Sequence, residues 1–168
     1  PVVEALFYIA AAVAAACAVA AVTRLNASHA LLYTVVLLLA LAVIFYLLGA
    51  PFAAALMVIV YAGAILVLLL FVIMLLNLGE RSRSDERGML EPRVWILPAF
   101  LAAVLLAEMA VTVGVAAGPA RRVVGVKEVA VSLLGTYLIG VELASFLLLA
   151  GVVSAVHLGR RRAAGDRP

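Results

Sequence analysis

Apolar residues fall along this chain in five long runs, and polar residues collect in the gaps between them. The runs are Ala5 to Val22, Ala30 to Leu48, Phe52 to Leu76, Val94 to Ala117 and Leu138 to Leu158. A bilayer's hydrocarbon core is about 30 Å thick and takes roughly 20 helical residues to cross. Inside it every backbone N–H and C=O must be paired within the segment, so each run predicts a helix. The pattern therefore predicts an all-α integral membrane protein, a single membrane domain over 1–168. Its five transmembrane helices lie near 5–22, 30–48, 52–76, 94–117 and 138–158. The third run is the longest, which leaves room for tilt.

The breaks agree with this division. Thr23 to His29 separates the first two helices, and Ser28 is placed to cap the second. Gly49-Ala50-Pro51 is too short for anything but a tight turn, so helices two and three are expected as antiparallel neighbours. Pro51 stands where proline is tolerated, at a helix start. Residues 77–93 are polar and charged and read as a loop. Gly118-Pro119 stops the fourth helix, and 118–137 mixes valines with charges, as expected of a segment lying on the membrane surface.

Composition sharpens the class. The chain is 68% hydrophobic and 12% charged, where a soluble domain has about 25% charged residues. Lipid is the expected solvent for most of its surface. Nothing in the charge pattern suggests nucleic-acid binding. The first run is flanked by Glu4 and lacks a basic segment, so it reads as a span and not as a secretory signal. Nine of the twelve Lys and Arg residues fall on one side of a five-span topology: Arg24, Arg81, Arg83, Arg87, Arg93, Arg160, Arg161, Arg162 and Arg167. Arg121, Arg122 and Lys127 fall on the other. Basic residues favour the cytoplasmic side, which predicts a periplasmic N-terminus, a cytoplasmic C-terminus and a cytoplasmic loop at 77–93.

Few residues are equipped for chemistry. The single cysteine, Cys17, lies in an alanine-rich run and reads as a small buried side chain. His29 and His157 fall at predicted membrane edges and read as interfacial. There is no nucleotide loop, nucleophile constellation or metal-ligand spacing. Two carboxylates lie inside predicted spans, Glu108 near the middle of the fourth and Glu142 about one turn into the fifth. An ionised carboxylate at the bilayer centre costs about 2.5–3.5 kcal/mol on insertion scales. Such a group serves a proton path, a polar contact at a subunit interface or a packing hydrogen bond, and Glu142 also lies near enough to the surface to snorkel.

The third helix carries Tyr61-Ala62-Gly63-Ala64 between aliphatic flanks. Small residues let membrane helices approach closely, which accounts for the alanines and the glycine but not for a tyrosine hydroxyl at membrane depth. A glycine here also permits a π-bulge, a turn often found at functional sites.

These residues carry a resemblance. Phe52-Ala53-Ala54-Ala55-Leu56, Val60-Tyr61-Ala62-Gly63-Ala64-Ile65 and Phe71-Val72-Ile73-Met74-Leu75-Leu76-Asn77 resemble the third helix of the J-subunit family of bacterial NADH-quinone oxidoreductase (respiratory complex I), whose mitochondrial counterpart is NADH dehydrogenase subunit 6. Asn26-Ala27-Ser28-His29-Ala30-Leu31 and Glu142-Leu143-Ala144-Ser145 are similar to the approaches to that family's second and last helices. The chain departs from it at Gly140-Val141, where Pro-Phe is common, and at Met57, where glutamine is common.

The resemblance implies a multi-pass subunit of the bacterial cell membrane with a structural and coupling role in a proton-translocating enzyme. Its partners would be the quinone-site subunit, the neighbouring small subunits and the antiporter-like subunits. It also implies a π-bulge around Tyr61, Ala62, Gly63 and Ala64 whose rotation opens a hydrated proton path. No catalytic centre and no cofactor is expected on this chain. FMN, iron–sulfur clusters, NADH and quinone would belong to the complex. The alternatives are a related plastoquinone-reducing or hydrogenase-type complex, a non-catalytic scaffold that tolerates Gln at Glu108 and Glu142, and a free-standing transporter active alone in liposomes.

Overall fold

The computed structural model describes residues 2–24, 27–76, 92–115 and 123–165. Of the expected loop at 77–93, residues 77–91 lie outside the described residues, while Pro92 and Arg93 already belong to a helix; the Gly118-Pro119 stop, Arg121, Arg122 and Arg167 also lie outside them. All regular structure among the described residues is helical: α1 (Val2–Thr23), α2 (Ala27–Leu47), α3 (Pro51–Leu56), a π-helical stretch (Met57–Ile65), α4 (Leu66–Leu76), α5 (Pro92–Val115), α6 (Val126–Leu134) and α7 (Leu138–Gly165). Among the described residues, five helical stretches are long and apolar enough to cross a membrane: Val2–Thr23, His29–Leu47, Pro51–Leu75, Ile96–Gly114 and Leu138–Gly159. The third of these is one continuous rod made of α3, the π stretch and α4.

The helix bounds differ in detail from the pattern. The second helix begins at Ala27, which puts Ser28 in its first turn and not at its cap. The segment at 118–137 contains a helix, α6, whose valines and charges alternate with a helical period. The last helix continues past Leu158 through the arginines to Gly165, because nothing there forbids helix once the chain leaves the lipid. Pro98 lies inside α5. A proline costs one helical hydrogen bond, and membrane helices accommodate that loss through neighbouring groups.

The chain divides into two compact units, Pro1–Val124 and Gly125–Pro168. In the first, α2 is central and packs against α1, the third rod and α5. Its apolar seam reads in steps of three and four: Leu6, Ala10, Val13, Ala14 and Cys17 are the buried positions of α1. Val13, Ala14 and Cys17 join Tyr33, Val36 and Ala40 of α2 and Leu101 and Leu105 of α5 in one cluster. Leu6 and Ala10 join Val43 and Leu47 in a second. Cys17 clusters with Tyr33 and Leu101, whereas Ala10 clusters with Val43 and lies beside Glu108, so α1 runs antiparallel to both α2 and α5. The Arg24 guanidinium donates to the Tyr33 hydroxyl at 3.4 Å and lies 5.3 Å from the centre of its ring, tying the end of α1 to α2.

The turn from α2 to α3 is a Schellman motif. Ala50 N–H donates to Phe45 C=O at 2.9 Å and Gly49 N–H to Tyr46 C=O at 3.0 Å, with Gly49 at φ 85°. That left-handed conformation is where glycine is favoured. The Gly49 carbonyl then accepts from Val124 N–H at 2.8 Å. In the second unit α6 packs against α7.

Candidate functional site

The third rod holds the residues singled out in the sequence. Its first six residues are α-helical from Pro51 at the N-terminal turn, and the Met57 N–H is shared between the carbonyls of Ala53 and Ala54. From Met57 to Ile65 the pairing lengthens to the π pattern, and it closes where Leu66 N–H donates to Tyr61 C=O, five residues back. Tyr61, Ala62, Gly63 and Ala64 all lie within that stretch. A π turn carries an extra residue relative to an α turn and is frequently found at functional sites.

The space around Gly63 is limited. A Cβ built on it would stand 3.2 Å from the Val58 carbonyl oxygen, five residues away and therefore brought close by the π pairing itself. Neighbouring side chains divide by face. Ala62 and Leu66 are buried, while Tyr61 is 51% exposed and Ile59, Leu68 and Phe71 are exposed as well. The small Ala62 thus lets the rod lie close to the chain's own core. Tyr61 points away from that core, and its hydroxyl has no partner among the described residues.

The two carboxylates expected in spans have opposite settings. Glu108 of α5 is 4% exposed, beside the backbone of Ala10 on α1. Neither of its carboxyl oxygens makes a hydrogen bond among the described residues, and the same holds for the hydroxyl of Thr112, one turn further along α5. Glu142 of α7 is exposed; its backbone carbonyl accepts the Ser145 hydroxyl at 2.7 Å. The structure does not bring Glu108 and the π stretch together: Glu108 faces α1, whereas the third rod packs on α2. Thr112 was not legible as a partner of Glu108, since i, i+4 spacing on a helix says which residues are neighbours but not which face is buried.

The histidines also part company. His157 is exposed, but His29, expected at the interface, has a buried Nε2 without a hydrogen-bond partner among the described residues. Cys17 is completely buried in the α1–α2–α5 cluster. No group of three His, Cys, Asp or Glu side chains converges among the described residues.

Comparison with known proteins bears on this arrangement. The profile of the NADH-ubiquinone/plastoquinone oxidoreductase chain 6 family matches residues 17–158. A Pseudomonas aeruginosa protein named NADH-quinone oxidoreductase subunit J is 49% identical over 163 residues, 95% of this chain and 98% of that protein. The Escherichia coli K12 protein of the same name is 44% identical over 169 aligned positions, 97% of this chain and 90% of that protein. One from Buchnera aphidicola of Schizaphis graminum is 39% identical over 93 residues, 54% of this chain and 57% of that protein. With a family match over most of its length, relatives aligned end to end and five helices fit to span lipid, this multi-pass bacterial membrane protein belongs to the NADH-ubiquinone/plastoquinone oxidoreductase chain 6 family.

Proposed function

We propose that this chain is a membrane-arm subunit of a proton-translocating NADH:quinone oxidoreductase, and that its third helix couples quinone reduction to proton movement. The first half of the reading rests on the end-to-end similarity to J subunits. The observation that carries the second is the π stretch at Met57–Ile65 with Gly63 at its close contact. Conversion of a π turn to α removes one residue from the turn and rotates the adjoining helix by about 100°, the angle one residue subtends. Such a rotation exchanges Ala62 on the α2 face for a neighbour, Tyr61 or Gly63. A tyrosine hydroxyl and a bare backbone would then move relative to the adjacent subunit, which is the kind of change that opens or closes a hydrated path.

The chain's partners are the quinone-site subunit, the neighbouring small subunits and the antiporter-like subunits of the membrane arm. The exposed apolar residues of the third rod, Ile59, Leu68 and Phe71, suit protein or lipid contact. Electron transfer belongs to other subunits, which supply FMN and iron–sulfur clusters; this chain contributes no catalytic centre. Glu108 and Glu142 serve as carboxylates of a proton path or an interface. The basic residues favour an N-terminus in the periplasm and a C-terminus in the cytoplasm, so a C-terminal phosphatase fusion is expected to be inactive and a C-terminal fluorescent fusion bright.

The test is gentle detergent purification through this chain, mass spectrometry of what accompanies it, and an assay of NADH-driven quinone reduction. Co-purification of flavin and iron–sulfur subunits with that activity is expected. A chain that comes down alone, or with plastoquinone-reducing or hydrogenase-type partners, overturns the assignment.

A further inference from the structure

Burying a hydroxyl or carboxyl without a hydrogen bond is costly, and buried polar atoms in folded proteins are almost always paired. Three such atoms stand together here: both carboxyl oxygens of Glu108 and the hydroxyl of Thr112. The residues are four apart on α5, so they share a face with Cβ atoms about 5–6 Å apart. Each residue is 4% exposed.

Thr112 is the informative member. A helical threonine ordinarily satisfies itself by donating to a carbonyl one turn back. Thr23 does so to Val19 at 2.9 Å, and Thr34 to Ala30 at 2.8 Å. Thr112 does not, although Glu108 C=O stands in the corresponding place. Its hydroxyl is therefore left for another partner on the face it shares with the Glu108 side chain. That partner is not a side chain of a neighbouring subunit, because all three atoms are closed off by this chain alone. It must be small enough to fit inside, and it must both donate and accept. The backbone facing Glu108 belongs to Ala10, a completely buried residue.

We propose that Glu108 and Thr112 form an internal hydration site within the membrane, holding ordered water in the α1–α5 interface. Buried waters typically make about three hydrogen bonds to groups left unsatisfied by the protein, which matches the three atoms available. The site gives Glu108 a hydrogen-bonded neighbour able to exchange protons with it, and it keeps that exchange away from lipid. It deepens the reading of Glu108 as a proton-path carboxylate, but the hydration site itself does not depend on the complex in which the chain resides.

The experiment is a high-resolution cryo-electron microscopy map of the native assembly purified through this chain, for the wild type, Thr112→Val and Thr112→Ser. Water density within hydrogen-bond distance of both Glu108 and Thr112 is expected in the wild type and in Thr112→Ser, and its loss in Thr112→Val. A dry interface in the wild type, with the carboxyl bonded only to protein groups, overturns the proposal. So does water that persists unchanged in Thr112→Val. If Thr112→Val does not assemble, the wild type and Thr112→Ser still decide the matter. Co-purifying subunits report separately on membership of the complex, so failure of that assignment is distinguishable from failure of the hydration site.

Discussion

A methyl group added at Gly63 meets the Val58 carbonyl oxygen at 3.2 Å. That contact exists because the π pairing draws residues five apart together, and it is tight enough that the carbonyl must yield by a few tenths of an ångström. The carbonyl is part of the helix backbone and moves only with its own turn. Overpacking of this kind costs about 1–3 kcal/mol. In a helix interior alanine is otherwise favoured over glycine by about 0.8–1.0 kcal/mol. Since the propensity gain applies to helix of either kind, the net bias of Gly63→Ala towards the α register is the overpacking term, about 1–3 kcal/mol or roughly 5- to 150-fold in the π-to-α ratio. Two measurements on the assembled enzyme follow this bias: the backbone register at Met57–Ile65, from a density map, and proton pumping by inverted membrane vesicles alongside NADH–quinone turnover. The expected result is loss of the Leu66-to-Tyr61 hydrogen bond with a several-fold fall in pumping. A retained π stretch with normal pumping refutes the argument that this contact holds the register. An altered register with normal pumping leaves the geometry standing and removes the coupling role.

Other perturbations probe the scaffold. Gly49→Ala places a side chain at φ 85° and is expected to destabilise the assembled subunit by about 1–2 kcal/mol, read as earlier thermal inactivation in detergent. Ala10→Leu overfills the α1–α2 seam, where Ala10 is completely buried beside Val43. It is expected to cost about 1–3 kcal/mol, seen as reduced subunit yield, while Ile59→Leu at an exposed position is expected to be tolerated. Tyr33→Phe removes the hydroxyl reached by Arg24 at 3.4 Å but keeps the ring beneath the guanidinium, so its cost is expected at the low end of a hydrogen bond, about 0.5 kcal/mol. Tyr33→Leu also removes the ring and lowers thermal stability further, and equal stability of the two variants counts against the cation–ring contact.

The sequence by itself determined the solvent and the number of spans. Five runs of apolar residues leave no polar surface with which to coat a globule, and lipid admits only helix for such segments. It also determined the turn at Gly49, because a glycine two residues before Pro51 marks the end of one helix and the beginning of another. The third helix was legible as unusual through Tyr61 and Gly63, since neither apolar periodicity nor close packing accounts for both. What no period could reveal is which face of each helix is buried, because in lipid both faces are apolar and the hydrophobic contrast that labels a core in water is missing. Only the packing of α1, α2 and α5 showed that Glu108 and Thr112 turn inward, and only the seating of the third rod on α2 that Tyr61 turns outward. The extent of the π stretch was likewise decided in three dimensions. A glycine permits an i→i+5 turn, but whether the backbone takes it depends on how the whole rod seats Ala62 and Leu66 against its neighbour, and that balance belongs to packing.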